Sequence, residues 1–312
     1  MFQKLYIFVA GYLFMKTNLT TASKTQHPLL VWGLLALLAL IWGSSFILVK
    51  KSLAVFAPAE VGSIRIFAAF CFFLPFFLVK LKKIPFNKFQ YFLLAGLLGN
   101  LLPAYLFSWA GSKLDSGVSG ALNSTTPLFT LIVGAIFFRN KITQRQSIGI
   151  VLGFVGALLL ILAGASGFHV NAYAFFVIMA TLLYGINLNL TKKFLTGLGI
   201  DSFLITTCIF MTIGPIAGTV LFSGDFIPKL QQEGAIQAMV FAMLLGVLGS
   251  AIAMVLFNRL IQMTSAVLAS SVTYLIPIVA ILWGVLDGEA ILFQHYLGMS
   301  VILIGVYLVN KS

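Results

Sequence analysis

Residues 95–108 read "AGLLGNLLPAYLFS", and residues 245–258 read "LGVLGSAIAMVLFN". At an offset of 150 positions Gly96 falls on Gly246, Gly99 on Gly249 and Phe107 on Phe257. The match continues outward. Upstream, "WGSSFILVKK" (42–51) and "YGINLNLTKK" (184–193) carry the same order of an aromatic, a glycine, small or amide side chains and a lysine pair, at an offset of 142. Downstream, Pro127 pairs with Pro277 and Gly134 with Gly284 at 150, then Gly149 with Gly298 and Gly156 with Gly305 at 149. A nearly constant offset held over this length marks an internal duplication, residues 29–161 and 171–310.

The medium in which the two copies fold follows from composition. Of 312 residues 61% are hydrophobic and 8% charged, and mean hydropathy is +1.09. A soluble domain carries about 25% charge, so this chain could not cover itself with polar surface in water. A helix needs roughly 20 apolar residues to cross the hydrocarbon. Ten such runs are legible: 29–49, 59–79, 89–110, 116–138, 146–164, 171–190, 202–222, 235–257, 264–286 and 291–309. Barrel strands would alternate polar and apolar residues, and these runs are apolar all round. The expected fold is therefore an all-α integral membrane protein of ten transmembrane helices. Each copy holds five of them. Five is odd, so the second copy enters the membrane from the opposite side. The result is an inverted repeat, an architecture of secondary transporters.

The net charge of +12 comes from 19 Lys+Arg against 7 Asp+Glu. The basic residues sit between apolar runs, so they read as membrane orientation and not as a nucleic-acid face. With the N-terminus inside, 14 of them fall in inner segments and 4 (Lys50, Lys51, Lys113, Lys229) in outer ones, with Arg65 inside a span. That bias puts both termini in the cytoplasm, with the plasma (inner) membrane as the expected location. Residues 1–28 form an N-terminal tail. Its apolar stretch "LYIFVAGYLFM" (5–15) has 11 residues and is too short to span; it reads as an upstream start or a dispensable tail, with a signal-peptide core as the alternative. Cys71 and Cys208 lie inside apolar runs with no CxxC partner, and read as buried free thiols.

The stretches "IWGSSFILVK", "EVGSIRIFAAF" with its lone Arg65, and "SSVTYLIPIVAILWGVLDGEAI" followed by "LGMSVILIGVYLV" resemble the EamA family of the drug/metabolite transporter superfamily. The tail with Pro277, Gly284, Glu289, Gly298 and Gly305 carries most of the likeness. The first copy departs from it, with Arg139 and Asn140 of "FRNKIT" where the family usually has an acid. The resemblance implies a ten-helix carrier, often an exporter of amino acids or other small metabolites, and names no single substrate.

Charge in a bilayer costs about 2.5–3.5 kcal/mol on insertion scales, and Arg65 is the charge furthest inside a span. It reads either as a counter-charge for a substrate carboxylate or phosphate, or as a structural arginine on helix-end carbonyls. Glu60, five residues earlier, points to another helix face. Polar side chains inside the spans either glue helices together or line a midplane site. Their correspondence between copies favours the site: Ser45 with Asn187, Asn100 with Ser250, Ser108 with Asn258, and Asn123 with Thr273. The aromatics flanking these pairs, Trp42, Tyr184 and Tyr274, complete the expected substrate-binding set. Pro127 and Pro277 are read as mid-span helix kinks that free carbonyls near Asn123 and Thr273.

No GxxxxGK[ST] occurs, so no ATP-hydrolysing motor is encoded. No acid is central to a span, which points to facilitated or exchange transport and away from coupling through a buried carboxylate. A membrane-embedded enzyme would need facing catalytic groups, yet His27, His169 and His295 fall in loops or at helix ends. A channel would show a filter or charged rings. The sequence thus points to a metabolite carrier without catalytic residues, metal or cofactor, whose partners are a small-molecule substrate and the lipid bilayer, without nucleic acid. It would act as a monomer or homodimer. Phosphorylated metabolites, nucleotide sugars or drugs are the alternative cargo.

Overall fold

The computed structural model describes residues 28–81, 84–139, 141–162, 171–290 and 292–310. The tail expected over 1–28 therefore lies almost wholly outside the described residues, as does Asn140. Among the described residues nine helices are long and apolar enough to cross a membrane: α1 Leu29–Ser52, α2 Pro58–Lys80, α3 Phe86–Gly111, α4 Ser116–Phe138, α5 Gln144–Leu162, α6 Ala174–Leu195, α7 Ser202–Phe222, α8 Ala235–Met263 and α9 Ala266–Leu286. The shorter apolar helix α10, Phe293–Val309, completes the second set of five. Large apolar side chains point outward from many of them, Leu29, Ile236 and Phe293 being more than three-quarters exposed. Lipid is the medium that accepts such a surface.

Packing between helices follows the duplication. Helix α2 packs on its counterpart α7, and α5 on its counterpart α10. The cross-contacts are reciprocal: α1 meets α8 and α9 while α6 meets α3 and α4, and α2 meets α8 while α7 meets α3. This is the exchange pattern of a two-fold relation, so the chain is a pair of inverted five-helix repeats. Glycines set the closest approaches, again in matched pairs. A Cβ on Gly149 would lie 2.5 Å from the Gly305 carbonyl oxygen, and one on Gly156 2.6 Å from that of Gly298. Gly149 corresponds to Gly298 and Gly156 to Gly305, so each glycine of one copy faces the counterpart of the other.

Among the described residues three helices carry wide π turns. Those at Leu97–Leu101 in α3 and Leu245–Ile252 in α8 overlay under the 150-residue offset; the third, Thr191–Leu195, ends α6. Such turns divert backbone and side chains from regular register and recur at functional sites.

The prolines correct an expectation. Helix α4 is two helices, Ser116–Asn123 and Thr126–Phe138, and α9 breaks into Ala266–Ser270, a 3₁₀ turn Ser271–Tyr274, and Ile276–Leu286. Pro127 and Pro277 occupy the first turn of the second segment in each. They do not kink a continuous helix. A proline fits the first turn because that position needs no amide donor, so each one starts a helix after a break. The breaks meet: Ser124 Oγ donates to the Thr273 carbonyl at 2.6 Å. Cys208 is buried as expected, but Cys71 is exposed on the lipid-facing surface of α2.

Candidate functional site

A cavity at the centre of the bundle holds about 960 Å³ of empty space, its open mouth included. It runs from the two helix breaks and the π turns to the end of the molecule where Lys50, Gly111 and Ser116 lie. Trp42, Ser45, Arg65, Asn100, Asn123, Tyr184, Asn187 and Thr273 line it. Three expected residues do not. Ser250 lies behind Arg65, accepting from its Nε at 2.6 Å. Asn258 is buried, its amide donating to Thr206 Oγ1 at 2.9 Å. Tyr274 turns away, its hydroxyl donating to the Val306 carbonyl at 3.2 Å. Asn258 and Tyr274 therefore serve packing. Asn258 follows the π turn of α8 and Tyr274 ends the 3₁₀ turn, and neither regular spacing nor copy correspondence tracks where such a turn aims a side chain.

The matched glycines explain how the remaining polar groups are placed. Gly249 receives Ser45, whose Oγ would sit 3.0 Å from an added Cβ, and Gly99 receives the amide of Asn187. These are equivalent contacts with the copies exchanged. Trp42 is anchored by its indole Nε1, which donates to the Gly249 carbonyl at 2.8 Å. The same carbonyls of a widened turn that cost helix regularity thus fix an aromatic wall. Gly246 does the corresponding work behind Arg65: a Cβ there would meet the Arg65 carbonyl oxygen at 2.6 Å.

Among the described residues two cations line the cavity, and their environments differ. Lys50 Nζ lies 2.9 Å from both Asp287 Oδ2 and Glu289 Oε1, and Lys51 pairs with Asp287 as well. Among the described residues no carboxylate pairs with Arg65; its one side-chain hydrogen bond goes to the neutral Ser250. A charge held near low dielectric without a counter-ion is unfavourable, and what would relieve it is an anion entering the cavity. Three buried polar atoms have no hydrogen-bond partner among the described residues, Asn100 Nδ2, Ser119 Oγ and Asn123 Oδ1, and all three residues line this cavity. Ser119, which sequence reasoning missed, precedes Asn123 by one helical turn and shares its face. That spacing was the available signal.

The mouth is tied by the same acids. Glu289 is almost fully buried; besides Lys50 it accepts from the backbone amides of Ser116 and Gly117 at 3.0 and 3.4 Å. A carboxylate at a helix N-terminus satisfies unpaired amides and the helix dipole, so Glu289 of the second copy caps α4 of the first. This is how an acid that falls at a helix end in the sequence becomes buried. The hydrogen bonds from Lys51, then Lys50, hold the Asp287 carboxyl below its ordinary value. Asp115 is pushed up, first by burial and then by the charge of Glu289. For Asp115 the folded state is favoured below the unfolded pKa, and that advantage is lost as pH rises through the raised folded value. Asp115→Asn is expected to raise the melting temperature at pH 7 in detergent and to leave it unchanged near pH 3.5. Equal melting temperatures at both would show that Asp115 is not destabilised by its surroundings.

Known proteins resemble this chain in sequence, and a solved structure resembles it in fold. An Archaeoglobus fulgidus protein named as an uncharacterized transporter is 25% identical over 284 residues, 90% of this chain and 99% of its own. The uncharacterized inner membrane transporter YedA of Escherichia coli (strain K12) is 28% identical over 292 residues, 90% of either chain. An Escherichia coli (strain K12) protein named as a probable amino-acid metabolite efflux pump is 29% identical over 155 residues, 47% of this chain and 48% of its own. A solved crystal structure superposes with a TM-score of 0.62, covering 89% of this chain and 96% of that one; at 14% identity this speaks for the fold alone. The model of the EamA-like transporter family matches residues 30–162 and again 171–311. Matching once on each copy, over nearly the whole described chain, it identifies this integral membrane protein as a member of the EamA-like transporter family of the drug/metabolite transporter superfamily.

Proposed function

We propose that this protein is an alternating-access carrier that exports small organic solutes bearing one carboxylate, amino acids among them. The observation that carries the reading is the uncompensated Arg65 in the central cavity, beside a Lys50 whose charge two carboxylates already meet. A phosphorylated cargo brings at least two negative charges and finds, among the described residues that line the cavity, one cation without a carboxylate partner. The charge bias of the loops supports an outside position for the mouth at Lys50 and Ser116, and in this reading the cavity is that of the outward-open state. The inverted repeat supplies the alternate: if the two copies exchange conformations, the mouth closes and the equivalent path opens inward. Among the described residues no carboxylate lines the cavity, which supports facilitated or exchange movement. The name carried by the amino-acid efflux relative agrees with this cargo over the half of the chain that it matches.

The test is counterflow. Proteoliposomes preloaded with unlabelled amino acids should accumulate labelled ones from outside without an imposed proton gradient. Monodisperse, thermally cooperative protein that exchanges no amino acid and no simple monocarboxylate would overturn the reading.

A further inference from the structure

We infer that Asn123 and Ser119 form a second recognition point in the central cavity, an acceptor pair that selects carboxylates carrying an ammonium or another strong hydrogen-bond donor. The inference rests on the carboxylate reading of Arg65 and goes beyond it, since a carboxylate alone needs neither residue.

The unpartnered atoms carry the argument. An unsatisfied buried polar atom costs about 1–3 kcal/mol, and native proteins keep few of them. Here Asn100 Nδ2, Ser119 Oγ and Asn123 Oδ1 are such atoms, and their residues all line one cavity. All three side chains are more than nine-tenths buried. They divide between different helices of the cavity wall. Asn100 lies in the π turn of α3, and Arg65 lies on α2. Helix α2 packs on α7 and α8. Ser119 and Asn123 lie on the first half of α4, which packs on α9 and α6. The first wall offers a guanidinium and an amide N–H, both donors, and suits an anion. The second offers an amide oxygen and a hydroxyl, and bears no charge.

The helix itself fixes the second wall. The break after Asn123 is held by Ser124 Oγ on the Thr273 carbonyl and by Thr125 Oγ1 on the Leu122 carbonyl and Thr181 Oγ1. The hydroxyls next to Asn123 are therefore committed to protein partners, and its own side chain is left for a ligand. Because the acceptor wall is neutral and Arg65 lines the same cavity, a ligand with a positive charge and no carboxylate is repelled. Trp42, Phe46, Phe107, Tyr184 and Phe257 also line the cavity and suit an apolar body.

Three ligands of one shape separate these terms: phenylalanine, 3-phenylpropanoate without the amine, and phenethylamine without the carboxylate. Equilibrium binding of each is measured on the detergent-purified full chain. Phenylalanine is expected to bind at least ~10-fold tighter than 3-phenylpropanoate, the range for a hydrogen bond to a charged group, and phenethylamine not measurably. In Ser119→Ala/Asn123→Ala the preference should fall to within about 2-fold, with 3-phenylpropanoate affinity unchanged. That constant affinity reports an intact site. If the double substitution removes the fold, Ser119→Ala alone should still narrow the preference. Equal binding of the two carboxylates by the wild type overturns the acceptor pair and leaves the carboxylate reading standing. So does a parallel loss of both ligands in the variants. Binding of neither carboxylate by well-folded wild type overturns both readings.

Discussion

Arg65→Gln is expected to reduce carboxylate exchange by at least ~50-fold, from the loss of charge-assisted hydrogen bonds to a desolvated anion, and at the same time to raise the melting temperature of the ligand-free protein. The two effects have one cause. Arg65 has no carboxylate partner among the described residues and gives one hydrogen bond to neutral Ser250, so its charge is a cost to the ligand-free fold that a bound anion removes. Neutralising it relieves the cost and destroys the site together. A purely structural arginine predicts the opposite sign for stability, because truncating one partner of a buried pair leaves the other stranded. Arg65→Lys keeps the charge but lacks the planar fork that engages Ser250 while presenting two further nitrogens; exchange should fall to an intermediate level. Counterflow and thermal unfolding on the same preparations check the pair of signs. A destabilised, inactive Arg65→Gln would return Arg65 to the structural reading.

The parts of this architecture that the sequence made legible are those that repeat. A duplicated glycine or proline leaves its mark twice, so the offset near 150 exposed the inverted pair, and eight of the eleven residues expected for the site line the cavity. What escaped was the effect of irregular backbone. Pro127 and Pro277 were visible, but proline chemistry alone does not distinguish a kink from a helix start. The distinction depends on Ser124 reaching Thr273 across the molecule. Asn258 matched Ser108 in the other copy, yet both turned out to be packed away, Ser108 on the Ala104 carbonyl and Asn258 on Thr206. Correspondence between copies marks equal position in the fold and says nothing about exposure to the cavity. Glu289 was legible as a helix-end acid; that it caps the first turn of α4 depends on a contact across 173 positions.

Gly156→Ala is expected to destabilise the protein by about 1–3 kcal/mol, the ordinary cost of overpacking, although alanine is the better helix former. At this position the new Cβ would lie 2.6 Å from both the Gly298 carbonyl oxygen and the Ile302 amide nitrogen, and 2.8 Å from Ile302 Cγ1. Two of those atoms are backbone, which cannot rotate aside. Relief requires α5 and α10 to separate, and separation also disturbs the reciprocal contact at Gly149 and Gly305, where the gap is equally small. Helix association in lipid depends on such close backbone approach because no hydrophobic effect drives it. Gly33→Ala is the matched control. Gly33 is exposed on α1 with nothing within 4 Å of an added Cβ, so the helix preference of alanine, about 0.5–1 kcal/mol, should act alone and stabilise. Thermal unfolding of both variants in one detergent reads the contrast directly. Opposite signs from one chemical change would locate the effect in the crossing and not in the residue type. Equal shifts would mean that α5 and α10 do not approach this closely, and the two-fold glycine crossing would have to be abandoned.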